Sequence, residues 1–152
     1  MNRFFRRLCL GAFTTMLLMG AVIAAEPDPK ILGYTLPADV KWVDNATRTN
    51  QTALIYGDPA KPGPYAMLIK WRPGNMSRPH FHEHDRFFVV LQGTWWVGTG
   101  PKFDPASTTA MPAGTLVTHF ARGIHYDGAK DGECIIALHG MGPATSIPAE
   151  QK

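Results

Sequence analysis

Thirteen prolines and fifteen glycines are spread along the chain, so that few uninterrupted windows reach helical length. What lies between them is a series of short apolar runs, separated by turn clusters roughly every ten residues. The runs that read as strands are Val40–Val43, Thr52–Tyr56, Tyr65–Trp71, Ser77–His82, Arg86–Gln92, Thr94–Val97, Ser107–Ala110, Leu116–Phe120, Ile124–Asp127 and Cys134–His139. The intervening segments, among them Gly57-Asp58-Pro59, Gln92-Gly93 and Pro112-Ala113-Gly114, hold residues that bend the backbone or accept positive φ. No helical period, internal repeat or low-complexity tract competes with this pattern. The expected fold class is all-β, a single sandwich or barrel.

The N-terminus reads as a secretory signal: Arg3, Arg6 and Arg7 precede an apolar stretch from Leu8 to Ile23, and Ala24 and Ala25 offer a cleavage point before Glu26. The stretch is about sixteen residues and contains Gly11, Thr14, Thr15 and Gly20, which is short and weakly apolar for a membrane span. An uncleaved anchor is the alternative, and either way the chain is expected to be exported, to the periplasm or beyond. The expected organisation is a signal over residues 1–25, a flexible leader over 26–30, a barrel over 31–142 and an extended surface tail over 143–152. With the three signal arginines removed, 15 Lys+Arg become 12, equal to the 12 Asp+Glu. A neutral chain without a basic run gives no argument for nucleic acid, and none for membrane once the signal is gone. Cys9 leaves with the signal, so Cys134 has no partner for a disulfide and reads as a small strand residue.

Five of six histidines fall into two groups: His80, His82 and His84, then His119 and His125. In an extended strand His80 and His82 share a face, so a His-x-His pair presents two imidazoles side by side, half of a metal site. The segment Gly74 to Gly93 resembles the first motif of the cupin superfamily, G-x5-H-x-H followed by E-x6-G. Both glycines and both histidines fall in place, but Arg86 stands at the glutamate. Gly114 and His125 keep the spacing of the second motif, with Phe120 and Arg122 in place of its second proline and glycine. The resemblance covers about fifty residues. It implies a cupin β-barrel, or jelly-roll double-stranded β-helix, in which His80, His82 and His125 converge on one divalent metal ion (Fe, Mn, Zn or Ni). It also implies homodimers paired through an edge strand such as Thr52–Tyr56.

Arg86 has no lone pair and cannot be a ligand. It either points inward and orients an anionic group of a small ligand against the metal, or swings outward to pair with Asp85 or Glu83. A barrel that has lost its metal is a further alternative. Asp85 is one substitute for the missing acidic ligand. His119 either lines the pocket or fills the wall, and Asp127, two residues beyond His125, is a candidate acceptor for an imidazole N–H. Arg86, His119 and Asp127 are the candidate catalytic residues; His139 reads as structural. Phe88 and one of Trp95 and Trp96 are expected over the metal, with the loop from Gly98 to Pro105 covering the mouth. Two functions fit: a metal-dependent enzyme of dioxygenase or isomerase type acting on a small anionic or aromatic molecule, or a periplasmic module that binds or senses such a ligand without turnover.

Overall fold

The computed structural model describes residues 25–151. The expected signal therefore lies outside the described residues, except for Ala25. Among the described residues, those from Thr35 onward form one compact unit, and residues 25–34 belong to a separate one. Among the described residues no helix is long and apolar enough to cross a membrane.

The unit is built from twelve strands: β1 (Val43–Asp44), β2 (Asn50–Tyr56), β3 (Gly63–Trp71), β4 (Asn75–Met76), β5 (His80–Phe81), β6 (Arg86–Gln92), β7 (Thr94–Thr99), β8 (Thr109–Pro112), β9 (Leu116–His119), β10 (His125–Ala129), β11 (Cys134–Gly142) and β12 (Ile147–Pro148). One antiparallel sheet has the order β1-β2-β3-β11-β6-β9; the other has the order β12-β5-β10-β7-β8, with β4 also paired to β10. The all-β expectation holds, and most strands fall where the apolar runs place them.

Alternation sets which residues face inward. Along β6, Phe88 and Val90 are buried while Phe87 and Leu91 are about half exposed, and along β11, Cys134, Ile136 and Leu138 are buried. These side chains join Tyr65 and Trp71 of β3, Trp95 and Val97 of β7 and Ala129 of β10 in one core drawn from both sheets. Gly93 turns the β6–β7 hairpin at φ 72°, and any side chain there would strike the Glu133 carbonyl.

Four local differences have physical causes. The expected strand Ser77–His82 is broken: β4 ends at Met76 and β5 starts at His80, because Pro79 has no N–H for the ladder and Asp127 N–H donates to the Ser77 hydroxyl rather than to a main-chain carbonyl. Ser107–Ala110 begins as a 3-10 turn, Pro105–Ser107, in which the Asp104 side chain accepts from Ala106 N–H, and the strand follows at Thr109. Val40–Val43 yields only the two-residue β1. Beyond Gly142, where a surface tail is expected, Ile147 and Pro148 pair with Phe81 and His80 as β12.

Candidate metal centre

Cross-strand register brings the site residues together. On the first sheet, His119 of β9 lies opposite Arg86 of β6, Arg86 opposite Gly140 of β11, and Gly140 opposite Tyr65 of β3. This is one transverse row, and Gly140 leaves its centre open: a Cβ there would lie 2.8 Å from the Tyr65 hydroxyl. On the second sheet, His80 of β5 lies directly opposite His125 of β10. Between the row and the pair is a cavity of about 510 Å³, lined by His80, His82, Arg86, His119, His125 and Asp127, with an apolar floor that includes Phe88, Met67 and Ile136.

The three expected ligands meet. Ring centroids are 4.8 Å apart for His80 and His82, 4.5 Å for His80 and His125, and 5.2 Å for His82 and His125. One donor atom from each lies within 4.8 Å of the others. Each ring is held by the same device. Nδ1 of His80 donates to the Arg78 carbonyl at 2.8 Å, Nδ1 of His125 to the Gly123 carbonyl at 2.9 Å, and Nδ1 of His82 to the Thr145 carbonyl. A carbonyl oxygen only accepts, so the proton sits on Nδ1 and each Nε2 keeps a lone pair. Backbone acceptors behind imidazoles are the usual means of fixing tautomer and ring orientation in metal-binding histidines. Burial pushes His82 down to about 3, with the Arg86 charge adding to it, and lowers His125 despite the nearby Asp127. Both rings are therefore neutral at ordinary pH, as ligation requires.

Arg86 points inward. Its Nη1 donates to Nε2 of His82, and no contact joins it to Asp85 or Glu83. Those two carboxylates are engaged elsewhere: Asp85 accepts from Ala121 N–H at 2.7 Å, and Glu83 lies 3.9 Å from Arg122. Asp85 is thus fixed outside the cavity and does not replace the missing acidic ligand. Burial lowers the Arg86 guanidinium somewhat, opposed by Tyr65 and Asp127.

His119 both lines the cavity and fills the wall. It stacks on Trp95 with centroids 5.3 Å apart, and lies 3.9 Å from the His125 ring. Burial pushes it down to about 2, and both of its ring nitrogens lack a hydrogen-bond partner. Asp127 shares the His125 face as the spacing implies, but it is not the acceptor for an imidazole N–H. The His125 N–H already goes to Gly123, and Asp127 Oδ2 stands 3.9 Å from Nε2, the lone-pair side, while Oδ1 accepts from Trp95 Nε1 at 3.3 Å.

Other expectations shift. Phe88 lines the cavity, but the tryptophan that does so is Trp71; Trp96 stacks under Lys130 instead. The mouth is bordered by Ala144, Thr145, Ser146 and Pro148 rather than by the Gly98–Pro105 loop, whose Phe103 packs on Tyr126 and Arg78. Sequence reasoning missed this C-terminal segment because Thr145 contributes a backbone carbonyl, which no residue pattern announces. Arg122, at the second-motif glycine, takes φ 62°, and its N–H donates to the His82 carbonyl at 2.7 Å. The left-handed turn is kept without the glycine, at a cost of about 1–2 kcal/mol.

Two antiparallel sheets closed over the facing histidines of β5 and β10 give the chain the double-stranded β-helix fold, which solved cupin proteins share. No family model and no curated protein matches it in sequence. Among solved structures it is similar to the polyketide cyclase RemF from Streptomyces resistomycificus, at 16% identity and TM-score 0.65 over 80% of this chain and 87% of that one. It is also similar to a cupin-2 domain protein from Rhodospirillum rubrum, at 16% identity and TM-score 0.54 over 75% and 78%. A third is the DMSP lyase DddQ from Ruegeria pomeroyi, at 13% identity and TM-score 0.59 over 75% and 64%. Structures with this fold thus include enzymes, and the histidine groups here can hold a metal ion.

Proposed function

We propose that this chain is an exported cupin that holds a divalent metal ion on His80, His82 and His125 and acts as a metal-dependent enzyme, of dioxygenase or isomerase type, on a small anionic or aromatic molecule. The observation that carries the reading is the shared device behind the three rings: every Nδ1–H is spent on a backbone carbonyl, which makes Nε2 the ligating atom of all three clustered rings. The chemistry such an ion supplies is polarisation of a ligand oxygen, or activation of dioxygen, at its open positions.

The chain's own residues select and orient the ligand. Arg86 is the inward cation, and a guanidinium fork suits a carboxylate. Tyr65, across the gap left by Gly140, adds a hydroxyl beside it. Phe88, Met67 and Ile136 supply an apolar floor for the rest of a small molecule. His119, buried and held neutral at the cavity wall, offers the ligand an imidazole hydrogen-bonding group whose nitrogens have no other partner.

Ligand binding without turnover is the second reading. It is favoured by Arg86 sitting on His82, which leaves the ligand set one lone pair short until the guanidinium moves.

Elemental analysis of the purified protein, with and without His82→Ala, tests the site. One ion per chain in the parent and a sharp loss in the variant are expected; a metal-free parent under metal-replete conditions ends the reading. Oxygen consumption and product formation across a panel of small carboxylates and phenols separate catalyst from receptor. N-terminal sequencing of protein recovered from the periplasm should begin at Glu26, and an intact Met1 in the cytoplasm would count against export.

A further inference from the structure

Deeper in the cavity lies a second set of donors that the three-histidine centre does not use. His119 is buried, with both ring nitrogens unpartnered. His125 Nε2 is likewise buried and unpartnered, and Asp127 Oδ2 stands 3.9 Å from it. The other Asp127 oxygen has a single 3.3 Å bond from Trp95. One donor atom each from His119, His125 and Asp127 lies within 4.8 Å of the other two.

Holding a carboxylate and unpartnered imidazoles together away from water is costly unless something satisfies them. A divalent cation satisfies all three groups, and two imidazoles with one carboxylate is a donor set suited to first-row metals such as Fe(II) and Mn(II). Bonds of about 2.1 Å bring adjacent donors to about 3 Å apart, so the His125–Asp127 pair has to contract by about 1 Å and the widest pair by up to about 2 Å. His125 sets the limit on occupancy. Its Nδ1–H is committed to the Gly123 carbonyl, so it has one lone pair and can ligate at only one position at a time.

We propose that the barrel has two alternative cation positions sharing His125: an outer one with His80 and His82, and an inner one with His119 and Asp127. The proposal rests on the metal reading above. Arg86 separates the two. While it donates to His82 Nε2, the outer set is incomplete and the inner set keeps all its donors. The inner set also carries a negative charge, which offsets the repulsion between Arg86 and a divalent ion; the outer set is neutral.

Co(II) is a suitable probe, since its visible absorption reports the ligand set independently of activity. Chelator-stripped protein is titrated with Co(II) alone, as the parent chain and as the His80→Ala/His82→Ala variant, with folding checked by circular dichroism. The variant is expected to retain one Co(II) with an altered spectrum. Adding Asp127→Asn or His119→Phe should then weaken binding by more than the ~10–100-fold that loss of an outer hydrogen-bond partner costs. Both additions keep the approximate size of the side chain, and if the double variant does not fold, His80→Ala alone serves, since His80 is only partly buried. If the parent takes up Co(II) and the folded variant takes up none, or if Asp127→Asn and His119→Phe leave the retained ion unaffected, the inner position is wrong while the three-histidine reading stands. If the parent takes up none, both fall.

Discussion

Arg86 donates from Nη1 to the Nε2 lone pair of His82, the same electrons that a metal ion at the His-x-His pair would need. One lone pair cannot serve both, so the guanidinium competes with the ion by occupancy as well as by charge. Arg86→Gln is expected to tighten metal binding by about tenfold, or ~1.4 kcal/mol. Arg86→Glu, which puts a carboxylate at that place, should tighten it further. Anionic ligands should weaken in both variants while neutral analogues do not. Chelator competition and ligand titration measure the two effects, and unchanged metal affinity in Arg86→Gln would remove the competition.

Acid stability should follow the buried rings. His82 and His119 are pushed from the ordinary 6.5 down to about 3 and about 2, chiefly by burial. The unfolded chain therefore takes up protons first, near pH 6.5, and stability is flat above that value and falls as pH drops below it. Each ring contributes a slope of about 1 kcal/mol per pH unit. Urea midpoints of metal-free protein between pH 7 and 5 should decline, and His119→Phe should decline less steeply. Parallel slopes would show that His119 is not held neutral.

Cys134 should be chemically silent. It is fully buried, burial pushes its thiol up to about 12, and its Sγ faces the Gly128 carbonyl at 4.0 Å. Label mapped to Cys134 by mass spectrometry is expected only after denaturation; modification of the native chain at neutral pH would contradict the structure.

Gly98 lies opposite Tyr126 in the β7–β10 ladder, and a Cβ there would fall 2.2 Å from the ring. Gly98→Ala has to displace a tyrosine that is fully buried and whose hydroxyl donates to the Asp104 carbonyl. A loss of about 1–3 kcal/mol is expected by chemical denaturation. A neutral effect would mean that the ring has room to move.

Strand identity and the three histidines were legible in the sequence because both depend on local spacing. Alternation in Arg86–Gln92 and Cys134–His139 marks inward faces, and the His-x-His pair announces its own geometry. The direction of Arg86 was not legible. It depends on Gly140 and Tyr65, brought across from β11 and β3 by register, and on a partner on His82 that only the closed barrel supplies. Asp127 was placed on the correct face but behind the wrong nitrogen, since the spacing of two residues fixes the face and says nothing about which carbonyl holds the His125 proton. Arg122 illustrates a subtler limit: the turn of the second motif survives without its glycine because the backbone, held by His82, imposes the conformation.

The stretch beyond Gly142 is wired to the centre. The Thr145 carbonyl holds the His82 ring, the Thr145 hydroxyl accepts from Glu83 N–H at 3.0 Å, β12 pairs with β5, and Glu150 meets Arg78, whose carbonyl holds His80. Chains are synthesised from the N-terminus, so two of the three imidazoles gain their final bracing only when the last of these residues has emerged. Whatever His80 and His82 bind, the geometry that binds it is therefore completed only after the rest of the barrel has been made.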